Sequence, residues 1–176
     1  MKLFCFLKDG NPKVGIKTEG DHYDIEQVIL SSKECKTVNP LLEIVDYVNF
    51  GDIIELIRGG IQTENALRTL SSYITWNKSR GDPLLLRSAT LNEPSLDWLP
   101  SIPQPPVLYG IGGNSPLFFR NKNYQIPAYP RGFVRPNSKN AIIGHNGTVK
   151  IPKHYSTMRA SAELGVVIGR TGKNIS

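Results

Sequence analysis

The residue in this 176-residue chain best placed for chemistry is Glu163. It lies in Ser161-Ala162-Glu163-Leu164-Gly165-Val166-Val167-Ile168-Gly169, a carboxylate feeding a short aliphatic run that closes on glycine. Leu164 to Ile168 has the composition and length of a strand, and the Arg170-Thr171-Gly172-Lys173-Asn174 turn cluster follows it. Alternation puts Ser161, Glu163 and Gly165 on one face of that predicted strand and Ala162, Leu164 and Val166 on the other. A carboxylate there either faces solvent from an edge or has a partner, because an unpaired buried charge is costly. The partner chemistry open to it is that of a metal ligand or a substrate contact. The three histidines carry less. His22 reads as an exposed polar residue beside a turn, His145 as part of an Asn-Gly turn, and His154 as an exposed loop residue near enough to the Glu163 strand to approach the same face. Cys5 and Cys35 lack metal-ligand spacing, and Cys5 reads as a buried thiol.

Charge is divided unevenly along the chain. Residues 1–104 hold 11 Lys and Arg against 14 Asp and Glu, a balance of −3. Residues 105–176 hold 10 Lys and Arg against Glu163 alone, a balance of +9. The basic residues stand singly among glycines, prolines and strands, without a recognition helix or an aromatic ribonucleoprotein motif, which argues against nucleic acid. That spacing suits a pocket for carboxylates or a surface that meets an acidic segment. No apolar run approaches the ~18 residues of a membrane span, and the N-terminus lacks the small-residue cleavage site of a signal peptide. The expected compartment is the cytoplasm, where disulfides are rare.

The elements that would position these residues follow from periodicity. Lys2 to Lys8 predicts a strand, Asp9-Gly10-Asn11-Pro12 a turn, Val14 to Thr18 a second strand, and Glu19-Gly20-Asp21 a second turn. His22 to Ile25 begins a third strand or leads into a helix. Leu41, Ile44, Val45 and Val48 lie at i, i+3, i+4 and i+7 of a helix opened by Pro40 and broken by Gly51. A second short helix runs over 53–57 and stops at Gly59-Gly60, and a third runs over 64–76 with a stripe of Leu67, Leu70, Tyr73 and Ile74. Leu84 to Leu86 reads as a strand and Thr90 to Leu99 as an extended piece. Pro100, Pro103, Pro105 and Pro106 then mark a boundary near Ser101. Val107 to Asn114 is a strand running into a glycine-rich turn that lacks a dinucleotide or phosphate-loop spacing. Phe133 to Ser138 is a short strand. Ala141 to Gly144 and Thr148 to Pro152 flank the His145-Asn146-Gly147 turn as a hairpin.

This order of pieces resembles the fumarylacetoacetate hydrolase family, loosely over the whole chain and well over 103–176. The resemblance is carried by Pro103 to Pro106, Ile111-Gly112-Gly113-Asn114, Phe133-Val134-Arg135-Pro136, Ile142 to Pro152, and Ser161 to Gly169. It implies an α+β fold: a small N-terminal α/β domain over 1–102, then the first part of a mixed, mainly β-roll over 103–176. It implies an enzyme acting on a carboxylate-bearing oxo acid or diketone by carbon–carbon cleavage, decarboxylation or isomerisation. Mg²⁺ or Mn²⁺ would be held by a Glu-x-Glu pair and a later Asp, since hard cations take oxygen ligands.

Carried over residue by residue, the family pattern puts metal ligation at Ser161 and Glu163, with Glu163 also as acid or base. Arg135 takes the place of a substrate-binding lysine, suited to a bidentate carboxylate contact, although an arginine there also suits a surface ion pair. Asn114 sits at the substrate turn, and Tyr129 at a lid or packing position. The dyad that activates water falls on Phe118 and Asn121; neither is a general base, and Asn121 is left to orient a water or substrate oxygen. Ser161 stands where the family has its first metal glutamate. About 70 residues do not close a roll. The expected partners are a small carboxylate substrate and the strands that complete the roll, from the rest of a longer polypeptide or a second chain carrying them; a homodimer is expected as well, and no nucleic acid or membrane. The alternative is a catalytically degenerate family member that serves as a binding or assembly subunit.

Overall fold

The computed structural model describes residues 1–33, 41, 43, 47–79, 82–138 and 141–174. The fold is α+β, and contacts divide it into two units, Met1–Ile102 with Gly144–Ser176, and Pro103–Ile143.

The first unit is built on a five-stranded antiparallel sheet of order β4-β3-β2-β1-β5. Strands β1 (Lys2–Lys8), β2 (Asn11–Thr18) and β3 (Asp21–Asp24) form a meander. Both of its loops are two residues long, Asp9-Gly10 and Glu19-Gly20, with φ of 52° and 75° in the first and 50° and 88° in the second. Positive φ at both central residues is the mirror-image turn whose twist matches that of paired strands, which is why Gly follows an acidic residue in each. The edge strands are two residues each, β4 (Thr90–Leu91) on β3 and β5 (Asp97–Trp98) on β1.

Alternation sorts the sheet into two faces. Leu3, Cys5, Val14, Ile16 and Tyr23 join the main core with residues of the helices α1 (Ile25–Lys33), α2 (Ile53–Arg58) and α3 (Gly60–Ser79). The stripe of α3 packs as its period requires: Leu67, Leu70, Tyr73 and Ile74 are all buried. Asp52 caps α2 by accepting from the Ile54 and Glu55 amides, and Gly60 begins α3 at φ 57°. Asp24 is fully buried where β3 meets α1. Its carboxylate is 2.9 Å from Lys8 Nζ and accepts from the Gln27 amide. The opposite face carries Phe4, Phe6 and His22 with Trp98 of β5 beside them. Phe4 pairs across from Gly15, where a Cβ would lie 2.1 Å from the ring, so the glycine makes the floor on which Phe4 lies.

The second unit holds β6 (Leu108–Gly112) and β7 (Arg131–Arg135), an antiparallel pair, with the helix α4 (Pro116–Asn121) in the connection. Phe133 covers Gly110 across the pair in the same way, 2.3 Å from where a Cβ would stand.

Several expectations are corrected. Leu84 to Leu86 forms a 3-10 turn (Pro83–Leu86) capped by Asp82, whose carboxylate accepts the Leu84 amide at 2.9 Å. An Asp-Pro start favours a helical turn over a strand. Residues 161–168 and the arms beside 144–147 are not strands. A strand is defined by its ladder, and among the described residues nothing pairs with these stretches, whatever their propensity. The central turn is present, with the Gly147 amide donating to the Gly144 carbonyl at 3.1 Å. His22 is buried at 4% exposure, because alternation places it beside Phe4 on the second face of the sheet. Of the helix expected over 40–48, residues 40, 42 and 44–46 lie outside the described residues, as does Cys35.

Candidate functional site

The six residues singled out for chemistry are divided between the units. Ser161 and Glu163 belong to the first, in an exposed stretch without regular secondary structure that reaches Gly169, beside Ile57 of α2. Asn114, Asn121, Tyr129 and Arg135 belong to the second. Asn114 follows the turn at Gly113, which has φ 78° and packs near Pro127 and Phe119. Asn121 is the last residue of α4, a helix opened by Pro116 and not anticipated from the sequence. Tyr129, 82% exposed, stands just ahead of β7. Arg135 ends β7 opposite Leu108, with its guanidinium carbon 5.1 Å from the centre of the Phe133 ring. That contact orients the guanidinium by a cation–π attraction of about 0.5–1 kcal/mol at an exposed site.

The sequence of the second unit is basic. Residues 103–143 carry five cations (Arg120, Lys122, Arg131, Arg135 and Lys139) and no acid. Arg131, Phe133 and Arg135 project from the same face of β7 by alternation. Phe118 and Phe119 pack edge to face at 5.6 Å on α4, so the Phe118 ring is held against its chain neighbour.

A divalent cation fits the remaining donors poorly. Ser161 and Glu163 supply one carboxylate and one hydroxyl, and among the described residues no three His, Cys, Asp or Glu side chains gather as a metal-binding group. Mg²⁺ and Mn²⁺ prefer an oxygen shell anchored by carboxylates, so this pair does not make a metal centre alone.

A second cluster escaped sequence reasoning. His22 Nδ1 lies 3.6 Å from Glu93 Oε2, and Lys17 Nζ lies 3.7 Å from the same oxygen. Phe4 and Trp98 flank the imidazole edge-on at 5.3 and 5.8 Å. Burial chiefly lowers the His22 pKa, Lys17 acts the same way, and Glu93 and Asp21 oppose them. The available signal was the spacing of Phe4, Phe6 and His22 on one sheet face. What concealed it was Trp98, brought in from about 75 residues away.

No family model matches the chain. It is 31% identical over 68 residues to the mitochondrial oxaloacetate decarboxylase of Dictyostelium discoideum. The match covers 39% of this chain and 31% of that protein, so the chain spans about a third of the relative it matches. Among the described residues no helix is long and apolar enough to cross a membrane.

Proposed function

We propose that the chain is a fumarylacetoacetate hydrolase-like enzyme acting on a carboxylate-bearing oxo acid or diketone. The observation that carries this reading is the 31% identity to an oxaloacetate decarboxylase. Arg135 binds a substrate carboxylate, and Asn114, Asn121 and Tyr129 contribute hydrogen bonds around it. With Phe118 and Asn121 at the dyad position, no general base stands there to activate water. That favours decarboxylation or isomerisation over hydrolytic cleavage. Glu163 serves as acid or base. Mg²⁺ or Mn²⁺ joins it where further oxygen donors come from the substrate or from the partner copy of a homodimer.

Calorimetry with oxalate, a dicarboxylate enolate mimic, tests this reading. Oxalate is expected to bind, and Arg135→Ala to weaken it about tenfold, the equivalent of about 1.4 kcal/mol. Added Mg²⁺ is expected to tighten binding in the wild type and not in Glu163→Gln. Absence of oxalate binding with and without Mg²⁺ would sink the enzyme reading. The replaced dyad positions favour the second reading, a degenerate subunit that binds or assembles without turnover.

A further inference from the structure

We propose that His22 is an acid-sensitive pin: when protonated, it releases Trp98 and the Gly144–Gly147 turn from the outer face of the N-terminal sheet. The inference rests on a chain of contacts within the first unit. Strand β5 holds the sheet edge by two residue pairs, Phe6 with Trp98 and Leu7 with Asp97. The Trp98 indole lies between three rings: Phe4 at 5.2 Å, His22 at 5.8 Å, and His145 at 5.5 Å. The 144–147 turn sits directly on this edge, since a Cβ at Gly144 would stand 2.0 Å from the Trp98 carbonyl oxygen. The turn is therefore packed against the Trp98 backbone.

The cluster has little capacity for a second charge on His22. The imidazole is buried, with apolar Phe4 on β1 and Leu91 on β4 against it. Its charged surroundings are Lys17 on β2, Asp21 on β3, and Glu93 in the 3-10 turn Glu93–Ser95. His145 lies beyond Trp98. Glu93 is half exposed and shared with Lys17, so it compensates an imidazolium only in part. A protonated His22 gains most by reaching water. On the Trp98 side it is covered by an edge strand held by only two residue pairs, as β4 is on the other edge. The ordinary histidine value is 6.5 and burial moves His22 below it. The neutral-ring contribution is thus complete above pH 6.5 and lost as pH falls below that value.

The test uses the whole chain with Trp76→Phe, so that Trp98 alone emits. Histidine Cε1–H resonances, the Gly144 and Gly147 amides, and acrylamide quenching of Trp98 are followed between pH 8 and 4.5. Quenching is expected to rise at least twofold with a midpoint below 6.5. That midpoint should coincide with the His22 titration and with movement of both glycine amides. His22→Gln is expected to flatten the transition, and His145→Gln to preserve it. The proposal is overturned if the Trp98 change tracks His145, persists in His22→Gln, or is absent while His22 titrates. It is also overturned if the glycine amides stay fixed. Should His22→Gln fail to fold, the coincidence of midpoints in the parent decides.

Discussion

Single buried groups in the first unit have consequences that can be measured one at a time. Burial, aided by the Asp52 carboxylate, pushes the Cys5 thiol up to about 11 from its ordinary 9.0. The sign of its effect is fixed: above pH 9 the unfolded chain loses this proton while the folded chain keeps it, so stability falls as pH rises. Urea midpoints between pH 9 and 11 should fall more steeply for the wild type than for Cys5→Ala, and equal slopes would refute this. The native thiol should also resist alkylation at pH 8 and react on unfolding. Cys5 was legible as buried because it alternates with Phe4 and Phe6 in an apolar strand. His22 was not, because the rings around it include Trp98, far along the chain, as well as Phe4 on its own sheet face. The candidate site itself was legible only through the resemblance. No local property of Arg135 or Asn114 separates a substrate contact from a surface residue.

At the scale of elements, the meander could be read from turn chemistry. Turns were expected at Asp9–Pro12 and Glu19–Asp21; the hairpin loops are tighter, at Asp9-Gly10 and Glu19-Gly20, with Asn11, Pro12 and Asp21 already in strands, and of the two readings open for 22–25 a strand forms over 22–24 before α1 begins at Ile25. Gly20 sits at φ 88°, a conformation that costs a residue with a Cβ about 1–2 kcal/mol. Nothing stands within 4 Å of where its Cβ would be. Gly20→Ala should therefore lower unfolding free energy by about 1 kcal/mol through backbone strain alone, without altering the denaturant slope. Gly15→Ala has ordinary φ but meets the Phe4 ring, and should cost more, about 1–3 kcal/mol, as overpacking does. Chemical denaturation of the pair checks the order. The stretches after residue 140 were legible in propensity and not in outcome: Leu164 to Ile168 has the composition of a strand but, among the described residues, no strand pairs with it. Short apolar runs fix a residue's preference, while pairing is decided by what else is present.

For the molecule as a whole, the most informative surface is the exposed apolar one. Leu164, Val166, Val167 and Ile168 are 91, 73, 56 and 79% exposed, and all five residues of β7 are exposed. A two-stranded ribbon is at best marginally stable in water, and each of these exposed apolar segments, taken in its own unit, is a candidate interface. A second copy is the partner proposed above. Sedimentation of the 19.6 kDa chain should then show a species of about twice that mass. Leu164→Lys with Val166→Lys should return it to monomer, and a monomer at every concentration would exclude the second copy. The unequal charge of the two halves, −3 and +9, gives such an association a dependence on salt.

The two-residue loops of the meander also set an order of events. Strands β1 to β3 close within the first 24 residues, so their pairings need only short loops and can form early, even while the chain is being made. Strand β5 pairs with β1 across about 90 residues, and the turn at 144–147 reaches it from further still. Closure of the sheet edge therefore waits for sequence that arrives late. Trp98 is the natural clock for that last step: its fluorescence should change in the slowest folding phase, after the meander is complete.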